Sequence, residues 1–212
     1  TLEKMYGEDH FDERVLHTFK ESKGNITVGL VGVKGTGKTL TAKRLAINSN
    51  LPIILIKERF QGGGFVEFFK RLPSVCVLID EFEKLYDTNI GTSSDDPEDT
   101  TLLQLFDGVY GTKHLFILTS NDQYLGDLFT DRLGRILFKK EFGYLDERQI
   151  QHVCNSELND KSKIDSLLFF NCMYKKMTYD VLRKIISQLN LFGLSVAETV
   201  SDLNLSYEDL NG

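Results

Sequence analysis

The sequence predicts an α/β fold, a three-layer parallel sheet followed by a small all-α domain. Three observations carry that reading. Short β-branched apolar runs alternate with helical patterns from Ile26 to about Phe142, the signature of strands joined by right-handed helical crossovers. One of those runs feeds directly into a glycine-rich loop that opens a helix. After about Tyr144 strand patterns stop, and only helical periodicities follow. With 212 residues, 41% apolar and 26% charged, the chain is long enough for a real core, and its composition argues against disorder or a fibrous repeat.

The elements follow in order. Asp12 to Lys20 places Val15, Leu16 and Phe19 at helical spacing, and Gly24-Asn25 ends the run. Ile26 to Val31 reads as a buried strand. Thr39 to Asn50 reads as a helix with Leu40, Leu45, Ala46 and Ile47 on one side, and Pro52 opens a strand over Ile53 to Ile56. Gln61 and Gly62 to Gly64 form a loop, followed by a short helix with Phe65, Phe68 and Phe69 on one face. Val75 to Ile79 is uninterrupted by polar residues and so is a strand buried on both faces. Asn89 to Thr100 has turn composition, and Thr101 to Phe106 begins a helix. Leu115 to Leu118 and Ile136 to Phe138 supply the last two strands. Gln149 to Leu158, Ile164 to Met177, Tyr179 to Leu191 and Val196 to Leu205 read as helices. The expected division is residues 1–144 for the α/β domain and 145–212 for the helical one.

Charge and composition exclude several functions. Twenty-five Lys and Arg against 31 Asp and Glu give a net charge of −6, which disfavours a broad nucleic-acid surface, since phosphate neutralisation needs clustered cations. Cys76, Cys154 and Cys172 are too few and too scattered for a disulfide scaffold or a metal cluster and fit a reducing, cytoplasmic compartment. No apolar run approaches the ~20 residues that span a bilayer. The chain opens on Thr1, as expected of a processed or excised piece.

Gly32-Val33-Lys34-Gly35-Thr36-Gly37-Lys38-Thr39 matches G-x-x-x-x-G-K-T between a strand and a helix. Glycines let successive backbone N–H groups converge on phosphate oxygens, and the helix N-terminus adds its positive end. Lys38 can neutralise the β- and γ-phosphates while the Thr39 hydroxyl ligates Mg²⁺. Asp80 and Glu81 end a buried strand, where parallel sheets bind ligands. Asp80 is placed to hold Mg²⁺ through water and Glu81 to polarise an attacking water. Asn121 follows the strand at Leu115; it reaches the γ-phosphate if that strand lies beside the phosphate-loop strand, and otherwise it is a turn residue. Arg132 and Arg135 flank Gly134 and supply planar cations suited to a transferring phosphate, or else a solvated face.

In order, GVKGTGKT, VLIDEFEKL, LLQLFDG, FILTSND and DRLGRI resemble the AAA+ ATPases, most closely the AAA subgroup proper. The likeness runs from about Ile26 to Phe142, and the helical remainder resembles the family's lid domain. RILFKKEFGYLDERQI is also similar to the mitochondrial Rieske-protein translocase branch. The resemblance implies a P-loop NTPase fold, ATP and Mg²⁺, and hydrolysis of ATP. It makes Lys38 and Thr39 the Walker A pair, Asp80 and Glu81 the Walker B pair, and Asn121 sensor 1. Arg132 and Arg135 match the arginine-finger pair that acts on ATP held by a neighbouring subunit, which implies a homo-oligomeric ring, usually a hexamer, working on a protein substrate or adaptor. Phe60-Gln61-Gly62 falls at the pore loop and Tyr6-Gly7 at the adenine contact. Val33-Lys34 replaces the usual Pro-Pro, Gln61 an apolar residue and Leu133 a proline. Arg183 is a sensor 2 arginine or a surface helix arginine. The competing functions are a nucleic-acid-linked clamp or helicase loader and a P-loop kinase or nucleotide switch.

The remaining features read as structural. His10, His17, His114 and His152 lack ligand spacing, and Phe65, Phe68, Phe69, Phe169 and Phe170 read as core. Asp95 to Asp99 reads as a solvated loop or a second pore loop.

Overall fold

The computed structural model describes residues 10–59, 64–85, 105–106, 108, 111–121 and 136–205. Five parallel strands form one sheet in the order β2-β3-β4-β1-β5. They are β1 (Ile26–Gly32), β2 (Ile53–Ile56), β3 (Cys76–Ile79), β4 (Leu115–Ser120) and β5 (Phe138–Phe142). The three central strands are buried throughout, whereas β2 and β5 alternate, as edge strands with one covered face do. Ile53 and Leu55 of β2 lie half-exposed.

Helix α1 (Phe11–Glu21) buries Phe11, Val15 and Phe19, one residue per turn. Phe11 meets Phe138 of β5 edge-on at 6.2 Å. Helix α2 (Lys38–Asn48) turns inward only part of the expected side, Leu45 and Ala46. Lys38, Thr41, Ala42, Leu45 and Ala46 are buried, while Leu40 and Ile47 are exposed. Lys38, Thr41, Ala42 and Leu45 form an i, i+3, i+4, i+7 stripe, in which Thr41 and Ala42 are small. In α3 (Gly64–Arg71) the inward residues are Phe65, Val66 and Phe69, and Phe68 is half-exposed. Helix α4 (Phe82–Leu85) follows β3 directly. The core on this side joins Val31, Phe65, Phe69, Val77, Ile79, Phe82, Leu105, Phe106, Phe116 and Leu118. Each such large apolar side chain contributes about 2–3 kcal/mol on burial.

Two strands depart from their expected spans by more than one residue. β4 continues through Thr119 and Ser120, because a strand buried on both faces still takes hydroxyls that find partners. The last strand runs over Phe138–Phe142 rather than Ile136 to Phe138. Its Lys139, Lys140 and Glu141 disguise it, yet Lys140 lays its ammonium over the Phe11 and Phe142 rings and Lys139 pairs with Glu141 at 2.9 Å. Charged residues are what a sheet edge tolerates and a central strand does not.

The described chain separates into two compact units. The sheet unit is His10–Val33 with Lys38–Phe142. The second unit joins the loop Lys34–Gly37 to the helical residues from Gly143 onward. It contains α5 (Glu147–Glu157), a 3₁₀ turn (Lys161–Lys163), α6 (Ile164–Tyr174), α7 (Tyr179–Phe192) and α8 (Val196–Asp202) around a core that includes Ile150, Leu167, Phe170, Leu182, Ile185 and Leu189. Capping boxes fix the starts of α5 and α8. Asp146 accepts from Gln149 N while the Gln149 side chain accepts from Asp146 N, and Ser195 and Glu198 repeat this box. Each such cap adds about 1 kcal/mol. The Asp146 box starts α5 two residues before the expected Gln149. Lys175, left-handed at φ 56°, stops α6 at Tyr174, before the expected Met177. Phe170 is buried as expected, but Phe169 is exposed. Among the described residues no helix is long and apolar enough to cross a membrane.

Candidate active site

The strand order puts β4 between β1 and β3, with Val31 beside Ser120 and Ile79 beside Leu118. The carboxyl ends of three adjacent strands therefore deliver the phosphate loop, Asp80-Glu81 and Asn121 to one edge of the sheet. The condition on which Asn121's role depended is met.

The loop begins at Gly32, whose φ is 132°, and a β-carbon there would lie 2.0 Å from the Phe142 carbonyl oxygen. Val33 N donates to that same oxygen at 3.1 Å, so β5 backs the loop. Thr36 is buried, Lys34 is exposed, and Gly37 has φ 101°. Gly35 has φ 80°; its carbonyl accepts from Asp180 N at 3.0 Å, and a β-carbon would sit 3.2 Å from Thr178 Oγ1. Lys38 is 6% exposed and donates to the carbonyls of Gly32 and Val33, each at 2.7 Å. Burial pulls its pKa below the ordinary lysine range, opposed by the charges of Glu83, Asp80 and Glu81.

Asp80 gathers hydroxyls. Its Oδ1 accepts from Thr39 Oγ1 at 2.8 Å and from Thr119 Oγ1 at 2.5 Å. Glu81 stands in the left-handed region at φ 52°, a strained conformation for a non-glycine residue that needs support from its surroundings. Its N–H supplies some, donating to Thr119 Oγ1 at 2.9 Å. The Glu81 carboxylate accepts from Lys84 Nζ at 2.5 Å and, at the longer distance of 3.4 Å, from Asn121 Nδ2. That hydrogen bond raises the Lys84 pKa. Asn121 is held more closely by Glu83, whose Oε1 accepts from Asn121 N at 3.1 Å and from Asn121 Nδ2 at 2.9 Å.

Thr119, Glu83 and Lys84 escaped the sequence reading. Thr119 was hidden as one hydroxyl closing an apolar run. Glu83 adds a third acid within one turn of the acidic pair and Lys84 an opposite charge, and the i, i+3 spacing of Glu81 and Lys84 was the available signal. Arg132 and Arg135 lie outside the described residues, as do Phe60-Gln61-Gly62, Tyr6-Gly7 and Asp95 to Asp99. Arg183 is exposed on α7, 3.4 Å from Glu157 and 5.7 Å from the Tyr179 ring centre.

The donors fit a magnesium nucleotide. Glycines with positive φ shape the loop, a buried ammonium lies against it, and a threonine hydroxyl beside a carboxylate supplies the oxygen donors a hard cation prefers.

Residues 28–144, more than half of the chain, match the model of the ATPase family associated with various cellular activities. The chain belongs to the AAA family. It is an AAA ATPase, an enzyme that binds and hydrolyses ATP. It is 29% identical over 210 residues to the ATP-dependent zinc metalloprotease FtsH of Rickettsia felis and, equally, of Rickettsia prowazekii; the alignment covers 88% of this chain and 30% of each relative. Two solved structures share the fold. One is from the HORMA:CdnC:Trip13 complex of E. coli MS115-1, with TM-score 0.66 and 15% identity over 96% of this chain and 89% of that one. The other is the Thermotoga maritima RuvB Holliday junction branch migration motor, with TM-score 0.60 and 14% identity over 94% and 70%.

Proposed function

We propose that this AAA ATPase is a Mg-ATP-driven, ring-forming remodeller of a protein partner. The supporting observation is the convergence of Lys38, Thr39, Asp80, Glu81 and Asn121 on the carboxyl ends of three neighbouring strands. Lys38 binds the β- and γ-phosphates once it leaves the loop carbonyls. Thr39 and Asp80 hold Mg²⁺, which when bound screens phosphate charge. Glu81 takes a proton from the attacking water, and the Asn121 amide orients that water against the γ-phosphate. Arg132 and Arg135 act on the ATP of a neighbouring copy, and residues 145–212 serve as the lid.

Three experiments test this. Glu81→Gln abolishes phosphate release while keeping ATP binding; substantial remaining hydrolysis overturns the base assignment. Arg132→Ala silences the assembly but regains turnover when mixed with subunits that keep both arginines and lack Glu81. Failure of that complementation removes the role in trans. Size exclusion of Glu81→Gln with Mg-ATP tests the ring, and recovery of a co-purifying protein rather than nucleic acid separates a remodeller from a loader.

A further inference from the structure

Asn121 can serve the water only if its amide points one way, and the described residues show what holds it. An asparagine amide rotates freely unless its neighbours distinguish oxygen from nitrogen. Here two carboxylates face it: Glu83 Oε1 at 2.9 Å and Glu81 Oε1 at 3.4 Å from Nδ2. The flipped amide would set its oxygen lone pairs against both anions. Glu83 also takes the Asn121 backbone N–H at 3.1 Å through the same oxygen. One carboxylate oxygen thereby fixes the residue at its main chain and at its tip. The other oxygen, Oε2, is buried and has no hydrogen-bond partner, so the cost of desolvating this carboxylate is only partly offset, which calls for a role beyond stability.

We propose that Glu83 is a positioning residue for ATP hydrolysis, orienting the Asn121 amide and keeping it off the base Glu81. The proposal rests on the site reading above. Without Glu83, the remaining carboxylate within reach of Asn121 Nδ2 among the described residues is Glu81. A full hydrogen bond there would stabilise the ionised base and make it a poorer proton acceptor. Glu81 would then be restrained by Asn121 as well as by Lys84.

Four variants read this out. Glu83→Ala lowers kcat about 10- to 100-fold, the scale of a misplaced reacting group, while the KM for ATP stays within about twofold. Glu83→Gln keeps a carbonyl acceptor and retains most of the rate. Asn121→Ala lowers kcat, and the double variant Glu83→Ala with Asn121→Ala is no slower than Asn121→Ala alone. Effects that multiply in the double variant overturn the proposal. So does a Glu83→Gln enzyme as slow as Glu83→Ala, or a rise in KM that matches the fall in kcat. A readout on the unaltered, nucleotide-free protein needs no variant to fold: the Asn121 side-chain amide should exchange its protons slowly in NMR spectra. Exchange as fast as that of a solvated asparagine overturns the proposal. Failure of the wider reading looks different, because Asn121→Ala or Glu81→Gln would then hydrolyse ATP normally.

Discussion

The two ends of the central strands both carry polar residues, and they use them differently. At the amino ends, Asn25 stands before β1 and His114 before β4. Asn25 Nδ2 donates to the Leu105 carbonyl at 2.6 Å, and its Oδ1 accepts from His114 N at 2.7 Å and Thr112 Oγ1 at 3.1 Å. His114, 1% exposed, takes Val75 N on Nδ1 at 3.3 Å and reaches the Phe69 carbonyl with Nε2 at 3.1 Å. All but the Thr112–Asn25 pair tie a side chain to backbone. At the carboxyl ends, by contrast, side chains bond mostly to one another: Thr39 and Thr119 to Asp80, Lys84 to Glu81, Asn121 to Glu83. Partners of that kind can be exchanged for a phosphate, a cation or a water. The amino ends stabilise the sheet; the carboxyl ends hold chemistry in reserve.

The sharpest way to break this contrast is to substitute one residue at each end and compare stability with turnover. At the carboxyl end, Glu81→Gln should cost about 10²–10⁴-fold in kcat with the melting temperature unchanged, as read by phosphate release and thermal unfolding. At the amino end, Asn25→Ala should do the reverse. It strips partners from Thr112, His114 and Leu105, so urea unfolding should show a loss of about 3 kcal/mol with kcat per folded molecule preserved. A clear loss of kcat in Asn25→Ala would dissolve the distinction. Thr119→Val sharpens it, because this hydroxyl serves both roles: it donates to Asp80 and accepts from Glu81 N. We expect about a tenfold fall in kcat together with about 1 kcal/mol of stability, measured on the same preparation.

The smallest effect concerns pH. Burial lowers the His114 pKa, and its bond to the Phe69 carbonyl opposes the shift only in part. The unfolded chain then takes up the proton more readily than the folded one, so His114's contribution is complete above its unfolded pKa of about 6.5. It fades as pH falls from there towards the folded pKa. Urea midpoints between pH 7.5 and 5 should drop more steeply for the wild type than for His114→Gln, and parallel slopes would remove His114 from the account.

Much of this was legible in the sequence wherever a residue's chemistry and its position coincided. The phosphate loop, Asp80-Glu81 and the buried strands at Ile26 and Val75 needed only spacing and apolar runs. Asn121 needed one further fact, that β4 lies next to β1, and no local pattern carries sheet order. The helix faces failed for a different reason. In α2 Leu45 and Ala46 face inward as expected, but Leu40 and Ile47 joined them in the apolar pattern while lying in solvent, and the small Thr41 and Ala42 that are buried were left out. β5 was shortened because its lysines belong to an edge, and edge or centre is a property of the assembled sheet. Asn25 looked like a helix stop, although its three partners lie about eighty or more residues away.

Gly32 leaves no latitude. Two strands come so close there that even a methyl group has nowhere to go, and the carbonyl in its way also receives the next amide of the loop. A variant at this residue must prise apart the last rung between neighbouring strands before it disturbs any phosphate. Its first symptom would be a fault of assembly, and idleness of the enzyme would follow as a sequel.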